Sequence, residues 1–279
     1  MPPPIRAELL ALLQCPETGE PLIGWDGDTE TATLTAPQSG RTYPVRGGVA
    51  CLLPAALQDS AATEYAEKRA EMSARDAQVA DYDAMLGLRL FTAAEVPLTL
   101  SYLRPEPGDL MLEGGCGTGR MTPDFATVVR GLLCVDFSFD SLQVARKKLT
   151  PEQLAKTVFV QADLSQLPVR TEVFDRVGTF GVYEHIPTPE ARDRAVCELM
   201  RVLKPRETGA RFALSAYRWG APISWNAEKE GHHDGGIYFK RFAADELRDL
   251  LAPHLAIGGF TEALLYYHLL WGRKPVPAS

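Results

Sequence analysis

The chain has little cysteine, little histidine and no excess of positive charge. Its 279 residues include only 5 cysteines and 5 histidines, and its formal net charge is −7. An odd number of scattered cysteines argues against a disulfide-stabilised secreted protein, so we expect reduced thiols and a cytoplasmic location. The negative total charge disfavours a nucleic-acid-binding protein, because such proteins commonly present a basic surface.

The chain also lacks a long hydrophobic run. No segment is long enough or apolar enough to cross a bilayer, so we expect no membrane insertion. The hydrophobic fraction is nevertheless 46%, which at this length is enough to bury one full core and a smaller one. These bounds predict a globular protein with a large and a small folded region.

A glycine-rich loop is the most informative segment that is present. Residues 109–120 read DLMLEGGCGTGR, so an apolar strand ends at the acid Glu113 and is followed by alternating glycines. Glycine lets the backbone turn tightly and approach a ligand closely, because no β-carbon is in the way. A dinucleotide fingerprint requires a glycine or alanine where this chain has Arg120. The spacing favours another nucleotide cofactor, with a simple strand-to-helix turn as the alternative.

Two later strands also end in an acid. Residues 131–136 read GLLCVD and place Asp136 about 20 residues beyond the glycine loop, where ribose-binding acids commonly lie. Residues 157–163 read TVFVQAD and end in Asp163. Either acid alone could simply cap the following helix. Strands that alternate with amphipathic helices predict parallel βαβ units, whose ligands bind beyond the carboxyl ends of the strands.

These motifs, together with residues 174–186 (FDRVGTFGVYEHI), resemble the class I methyltransferases that use S-adenosylmethionine (SAM). The resemblance covers about residues 107–273. It implies an α/β fold with a doubly wound, seven-stranded, mostly parallel sheet and an antiparallel last strand, and it implies SAM as the cofactor. The cofactor-binding residues that it implies are Glu113, Gly115, Cys116, Gly117, Gly119, Asp136, Phe137, Ala162, Asp163, Leu164 and Phe180.

The first 54 residues resemble a small zinc-ribbon-like module. Relatives of that module carry two cysteine pairs, and the equivalent positions here are Cys15, Thr18, Ala36 and Ser39. A structural zinc site needs four ligands, so one thiol cannot hold the ion. We therefore predict a small β-rich, ribbon-like domain without metal at 1–54, a helical linker or cap at 55–106, and the methyltransferase domain at 107–279.

The residues that would bind the methyl acceptor carry no equally specific motif. Methyl transfer needs in-line positioning and, for a protonated acceptor, a base within hydrogen-bond reach. We expect His185 to be that base, with Tyr183 beside it, although a structural role for His185 is equally open. Expected substrate contacts are Glu184, Trp219, Trp225, His232, His233 and Tyr238. The aromatic side chains among them could instead simply pack against the sheet. His232 and His233 could instead be exposed polar residues, and we favour either role over metal binding.

The sequence favours a small-molecule acceptor, because residues 1–54 are also net acidic and cannot hold RNA by charge alone. A tRNA or rRNA base methyltransferase is the second hypothesis, and a SAM-binding regulatory protein without turnover is the third. The oligomeric state does not follow from these residues.

Overall fold

A ten-stranded sheet dominates the computed structural model, which describes residues 5–59, 63–82, 86–233, 235–262 and 266–276. Its strand order is β1-β2-β3-β6-β5-β4-β7-β8-β12-β11, and β9 and β10 form a separate hairpin. The strands are β1 (Ala32–Thr35), β2 (Thr42–Arg46), β3 (Val49–Cys51), β4 (Leu110–Gly114), β5 (Gly131–Asp136), β6 (Thr157–Gln161), β7 (Arg176–Phe180), β8 (Arg211–Tyr217), β9 (Glu230–His232), β10 (Tyr238–Lys240), β11 (Ala256–Thr261) and β12 (Tyr267–Arg273).

Helices connect these strands. In the described ranges they are α1 (Ile5–Leu10), α2 (Ala55–Asp59), α3 (Thr63–Tyr82), α4 (Leu86–Leu103), α5 (Thr122–Val128), α6 (Phe139–Lys147), α7 (Pro151–Leu154), α8 (Pro189–Val202) and α9 (Ala244–Leu251). The start of α8 shows how the sequence sets a boundary. Thr188 accepts a hydrogen bond from the Ala191 amide at 3.2 Å, and Pro189 occupies the first turn, where no amide donor is needed.

The central part of the sheet confirms the predicted fold. Strands β6, β5, β4, β7 and β8 are parallel, and β12 lies antiparallel between β8 and β11. Every residue of β4, β5 and β7 is buried, as expected for parallel strands covered on both faces. This arrangement brings the ends of β4, β5, β6 and β7 to one edge of the sheet.

The N-terminal strands continue this sheet. The sequence suggested a separate small domain, but β3 pairs in parallel with β6, and the Leu52 amide donates to the Gln161 carbonyl at 2.8 Å. The pairing covers an edge of the central sheet that would otherwise expose unpaired backbone groups. Leu9 and Val45 lie in the same hydrophobic core as Val158 of β6.

Two similar turns face each other in the N-terminal region. The Gly19 amide donates to the Cys15 carbonyl and the Gly40 amide to the Ala36 carbonyl, both at 2.9 Å. The two glycines have φ angles of +72° and +70°. The carboxylate of Glu20 lies between the turns and accepts hydrogen bonds from both of them. Its donors are the Thr18 hydroxyl, the Gln38 amide, and the amide and hydroxyl of Ser39.

Among the described helices, none combines the length and the apolar character that crossing a membrane requires.

Candidate functional site

A cavity lies at the carboxyl ends of β4, β5, β6 and β7. One wall consists of the glycine-rich loop, Asp136 and the Ala162–Leu164 segment. Helix α3 forms the opposite wall with Lys68, Glu71 and Arg75. The cavity therefore occupies the place where open α/β sheets bind their ligands.

The glycine loop has two tightly packed glycines and one open one. Gly115, Gly117 and Gly119 have φ angles of +71°, +53° and +76°. A β-carbon at Gly115 would lie 2.4 Å from Val182 Cγ2, and one at Gly119 would lie 2.8 Å from Ala145 Cβ. A β-carbon at Gly117 would meet no atom within 4 Å. Gly115 and Gly119 thus let the loop pack, whereas Gly117 leaves bare backbone beside the cavity.

Asp136 fastens the glycine loop to the end of β5. Its Oδ2 accepts from the Gly117 amide at 2.8 Å, and its Oδ1 accepts from the Ser138 amide at 2.9 Å. Burial raises the pKa of this carboxyl, while both amide bonds act in the other direction. A carboxylate oxygen can accept more than one hydrogen bond, so Asp136 retains acceptor capacity toward a ligand hydroxyl.

Glu113 is a buried acid at the end of β4. It is 3% exposed, and its Oε2 accepts from the Thr122 hydroxyl at 2.7 Å. Burial raises its pKa to about 8, so the carboxyl holds a proton at neutral pH. An ammonium group in the cavity would favour the charged form and reverse this shift.

Asp163 is bonded to helix α3. Its Oδ2 lies 2.6 Å from Lys68 Nζ, and its Oδ1 accepts from the amide and the hydroxyl of Ser165, both at 2.8 Å. Farther along the same helix, Asp76 accepts from the Ser138 hydroxyl at 2.5 Å. Helix α3 is therefore attached to the segments that follow β6 and β5.

A polar network lies beneath the cavity. Glu95 of α4 is 1% exposed and lies 2.6 Å from Arg120 Nη1, and its other oxygen accepts from the Ser215 hydroxyl at 2.6 Å. The Ser215 oxygen in turn accepts from the Gly181 amide at 3.1 Å. These bonds hold the end of β7 against the glycine loop.

Glu184 is the unusual acid of this region. It is fully buried, and within the part of the chain that the structure describes neither carboxyl oxygen has a hydrogen-bond partner. Burial raises its pKa to about 8, and the nearby charge of Glu95 acts in the same direction. The group lies just behind Gly181, which lines the cavity, rather than on the cavity surface.

His185 ends a short 3₁₀ helix, Tyr183–His185, and lines the cavity. Its Nδ1 lies 2.7 Å from the Tyr238 carbonyl oxygen. A carbonyl only accepts, so Nδ1 carries the hydrogen and Nε2 of the neutral ring keeps its lone pair. Burial lowers the pKa of this imidazole well below its usual range, with Arg75 as a further cause. The amide of the same Tyr238 donates to Glu71 of α3 at 3.3 Å.

The other predicted acceptor residues fall into two groups. His233 lies near His185, with a ring distance of 6.0 Å, and stacks on Phe239 at 4.4 Å. Trp219 is half-buried, while His232 is exposed and packs on Tyr238. Trp225 is 73% exposed. The structure brings together His185, His233 and Tyr238 and leaves Trp225 facing solvent.

Tyr183 lies away from the cavity. It is 4% exposed and packs against Phe242 with a ring distance of 5.3 Å, and burial raises its pKa to about 12. We therefore keep His185 and not Tyr183 as the candidate base. The predicted cofactor residues Cys116, Phe137 and Phe180 all line the cavity, as do Ala162 and Leu164.

Sequence reasoning missed the helix residues that close the cavity. Lys68, Glu71, Arg75 and Val79 recur at intervals of three or four and share one face of α3. That spacing was a usable signal, whereas the role of Glu95 depends on long-range contacts and left no local pattern.

Residues 112–208 match a family model described as a methyltransferase domain. An O-methyltransferase of Pyrenophora dematioidea is 35% identical over 120 residues, which cover 42% of this chain and 42% of that protein. A probable tRNA methyltransferase 9B of Mus musculus is 35% identical over 100 residues, which cover 36% of this chain and 20% of that protein. The chain thus spans less than half of either relative. Over residues 112–208 the chain is therefore similar to methyltransferase domains, in agreement with the resemblance of its motifs.

A solved structure resembles most of the chain. It is the 1,6-didemethyltoxoflavin-N1-methyltransferase of Burkholderia thailandensis with bound 1,6-didemethyltoxoflavin and S-adenosylhomocysteine. The TM-score is 0.58 at 18% identity, and the match covers 91% of this chain and 99% of that chain. At this identity the likeness concerns the fold alone, and it confirms the predicted Rossmann-like α/β fold.

Proposed function

We propose that this protein is a SAM-dependent methyltransferase that transfers a methyl group to a small-molecule acceptor. The observation that carries the proposal is one cavity that is lined by the glycine loop, by its acids and by His185, whose Nδ1 is bonded to the Tyr238 carbonyl. A cofactor site and a candidate base thus share one cavity.

The residues present fit SAM. Gly117 offers bare backbone, Asp136 offers acceptor capacity for ribose hydroxyls, and Glu113 can ionise beside an ammonium group. The related solved enzyme holds S-adenosylhomocysteine, the demethylated product of SAM. When bound, SAM supplies an activated methyl group, and the protein contributes orientation and proton removal.

His185 is suited to removing a proton from the acceptor. Its lowered pKa keeps the ring neutral at physiological pH, and the Nδ1–H bond to Tyr238 leaves Nε2 as the basic atom. Glu71 accepts from the amide of Tyr238, the residue whose carbonyl holds His185, so α3 helps to fix the orientation of the ring.

The acceptor end of the cavity favours a small apolar or aromatic molecule. The lining residues that follow His185 in the chain are apolar, namely Ile186, Pro187, Ala191 and Ala195. Lys68 and Arg75, cations on the α3 wall, are paired with Asp163 and Glu71. A wall of this kind suits a desolvated ring better than a phosphate backbone. The solved structure that holds 1,6-didemethyltoxoflavin points the same way, while the tRNA methyltransferase relative favours the RNA alternative.

Two measurements test the proposal. Calorimetry with S-adenosylhomocysteine should show one site per chain, and absence of binding would refute the whole assignment. The protein is then incubated with methyl-labelled SAM and either a small-molecule extract or total RNA. Label in the small-molecule fraction is the expected result, and ribonuclease-sensitive label would favour the RNA hypothesis instead.

The variant His185→Gln tests the base. Turnover of the labelled acceptor should fall about 10²- to 10⁴-fold, the usual contribution of general base catalysis, with unchanged affinity for S-adenosylhomocysteine. The wild-type rate should fall as the pH drops through the lowered pKa of His185, because protonation removes the base, and this acid limb should vanish in the variant. Equal turnover would assign His185 a structural role.

A further inference from the structure

Three metal-binding side chains meet on the surface of α8, away from the cofactor cavity. Asp193 and Cys197 are four residues apart and share one face of the helix. His254 follows α9, where its amide donates to the Leu251 carbonyl at 3.0 Å. One ligand atom from each of the three lies within 4.8 Å of the others, and no comparable group occurs elsewhere in the described ranges.

We propose that Asp193, Cys197 and His254 form a binding site for a divalent metal ion of the zinc type. Cys197 Sγ lies 3.6 Å from His254 Nδ1. Zinc–sulfur and zinc–nitrogen bonds of about 2.3 and 2.0 Å at a tetrahedral angle place these two atoms roughly 3.5 Å apart. The observed distance of 3.6 Å therefore matches the separation of two ligand atoms in a tetrahedral zinc site.

The ligand set selects the kind of metal. A thiolate and an imidazole favour zinc over magnesium or calcium, which prefer oxygen ligands. The third ligand is Asp193 Oδ2, which lies 4.0 Å from Cys197 Sγ, and this carboxylate and the thiolate together balance the charge of a dication. Asp193 and Cys197 are both exposed, so water can complete the fourth position.

The same three residues could instead form a nucleophilic triad, since His254 Nε2 lies 2.7 Å from Asp193 Oδ1. A nucleophilic triad needs no metal ion, so the metal titration described below separates the two arrangements.

The site is separate from methyl transfer. None of its three residues lines the cofactor cavity. A bound ion would tie α8 to the chain that leaves α9, and it would contradict the sequence-based expectation that the chain has no metal site.

Cobalt titration of the full chain tests the proposal, because cobalt coordinated by a thiolate absorbs light strongly. After treatment with a chelator, the wild type should bind one cobalt ion with a thiolate charge-transfer band, and zinc should displace it. Cys197→Ser should abolish the band and weaken binding at least about a hundredfold, since loss of mere outer-shell partners already costs 10- to 100-fold. His254→Gln should weaken binding similarly.

Cys51→Ser is the matched control, because Cys51 is a half-buried thiol of β3 outside the cluster. This variant should bind cobalt as the wild type does. Absence of cobalt binding by the wild type, or a band that survives Cys197→Ser, would overturn the proposal. Circular dichroism of each variant checks that the fold is retained.

Discussion

The glycine loop of the cofactor cavity and the paired N-terminal turns have similar backbone conformations but different roles. Both place glycines in the left-handed region, at Gly115 in the loop and at Gly40 in a turn. A β-carbon at Gly115 would collide with Val182, whereas one at Gly40 would meet nothing within 4 Å. Close packing therefore constrains the loop, and only backbone conformation constrains the turn.

The buried acids of the two regions differ in their hydrogen bonding. Glu20 accepts hydrogen bonds from both N-terminal turns, whereas neither oxygen of the buried Glu184 has a partner among the described residues. A closed set of hydrogen bonds stabilises a carboxylate, while burial without partners favours the neutral acid. The contrast separates an acid whose charge is stabilised from one whose charge the fold disfavours.

The largest expected effect is on cofactor binding, and it comes from replacing Gly115 of the loop, but not Gly40 of the turn, with alanine. Gly115→Ala should weaken binding of S-adenosylhomocysteine at least about a hundredfold, because the new β-carbon would displace Val182 and move the loop. Gly40→Ala should cost only about 1–2 kcal/mol of stability from its left-handed backbone and leave binding unchanged. Calorimetry and urea unfolding measure the two quantities. Equal binding by both variants would show that loop packing does not control the cofactor site.

The next largest effects are on the free energy of unfolding, which should rise in Glu184→Gln at high pH and fall in Glu20→Gln at neutral pH. The pKa of Glu184 is raised from 4.5 to about 8, so its contribution to stability is present below pH 4.5 and is lost as the pH rises toward 8. Gln does not ionise. Glu184→Gln should therefore unfold like the wild type near about pH 5 and gain roughly 2–4 kcal/mol over it at about pH 8.5.

Glu20→Gln is the matched control for Glu184→Gln. The hydrogen bonds from Ser39 and Gln38 lower the pKa of Glu20, so its contribution is present above the ordinary value and is lost as the pH falls through the lowered one. The Gln variant should accordingly be less stable than the wild type at neutral pH. Urea unfolding at the two pH values measures both variants. A loss of stability for Glu184→Gln at high pH would mean that its carboxylate has a partner in solution.

The smallest effect should follow removal of metal. In the Cys197→Ser background, which lacks the proposed surface site, a chelator should leave the thermal midpoint unchanged. The N-terminal turns are held by Glu20, and the Cys15 sulfur lies 3.1 Å from the Tyr43 hydroxyl. A chelator-induced fall in the midpoint, with release of zinc, would show that residues 1–54 retain a metal centre.

Local patterns were sufficient for the central sheet and for much of the cavity wall. Apolar strands that end in Glu113, Asp136 and Asp163 predicted both the parallel order and the edge at which these acids meet. These features are readable because a buried parallel strand needs a continuous apolar run and its ligand site follows directly after it.

Other features required the folded chain. The strand Val49–Cys51 has three residues, which is too short a pattern to predict its parallel pairing with β6. The sequence therefore suggested a separate N-terminal domain. Tyr183 and His185 are two residues apart, and only the short helix that contains them decides which one faces the cavity. The ion pairs of Lys68 with Asp163 and of Glu95 with Arg120 join distant segments and leave no trace in local spacing.

The pairing of β3 with β6 also bears on the order of assembly. Val49 pairs with Phe159, so the portion synthesised first on the ribosome completes its backbone hydrogen bonds with a strand made much later. Its exposed edge stays available to other chains until that strand emerges, and distant pairings of this kind form slowly. The nascent protein therefore stays vulnerable to aggregation until β6, which spans Thr157–Gln161, has been translated.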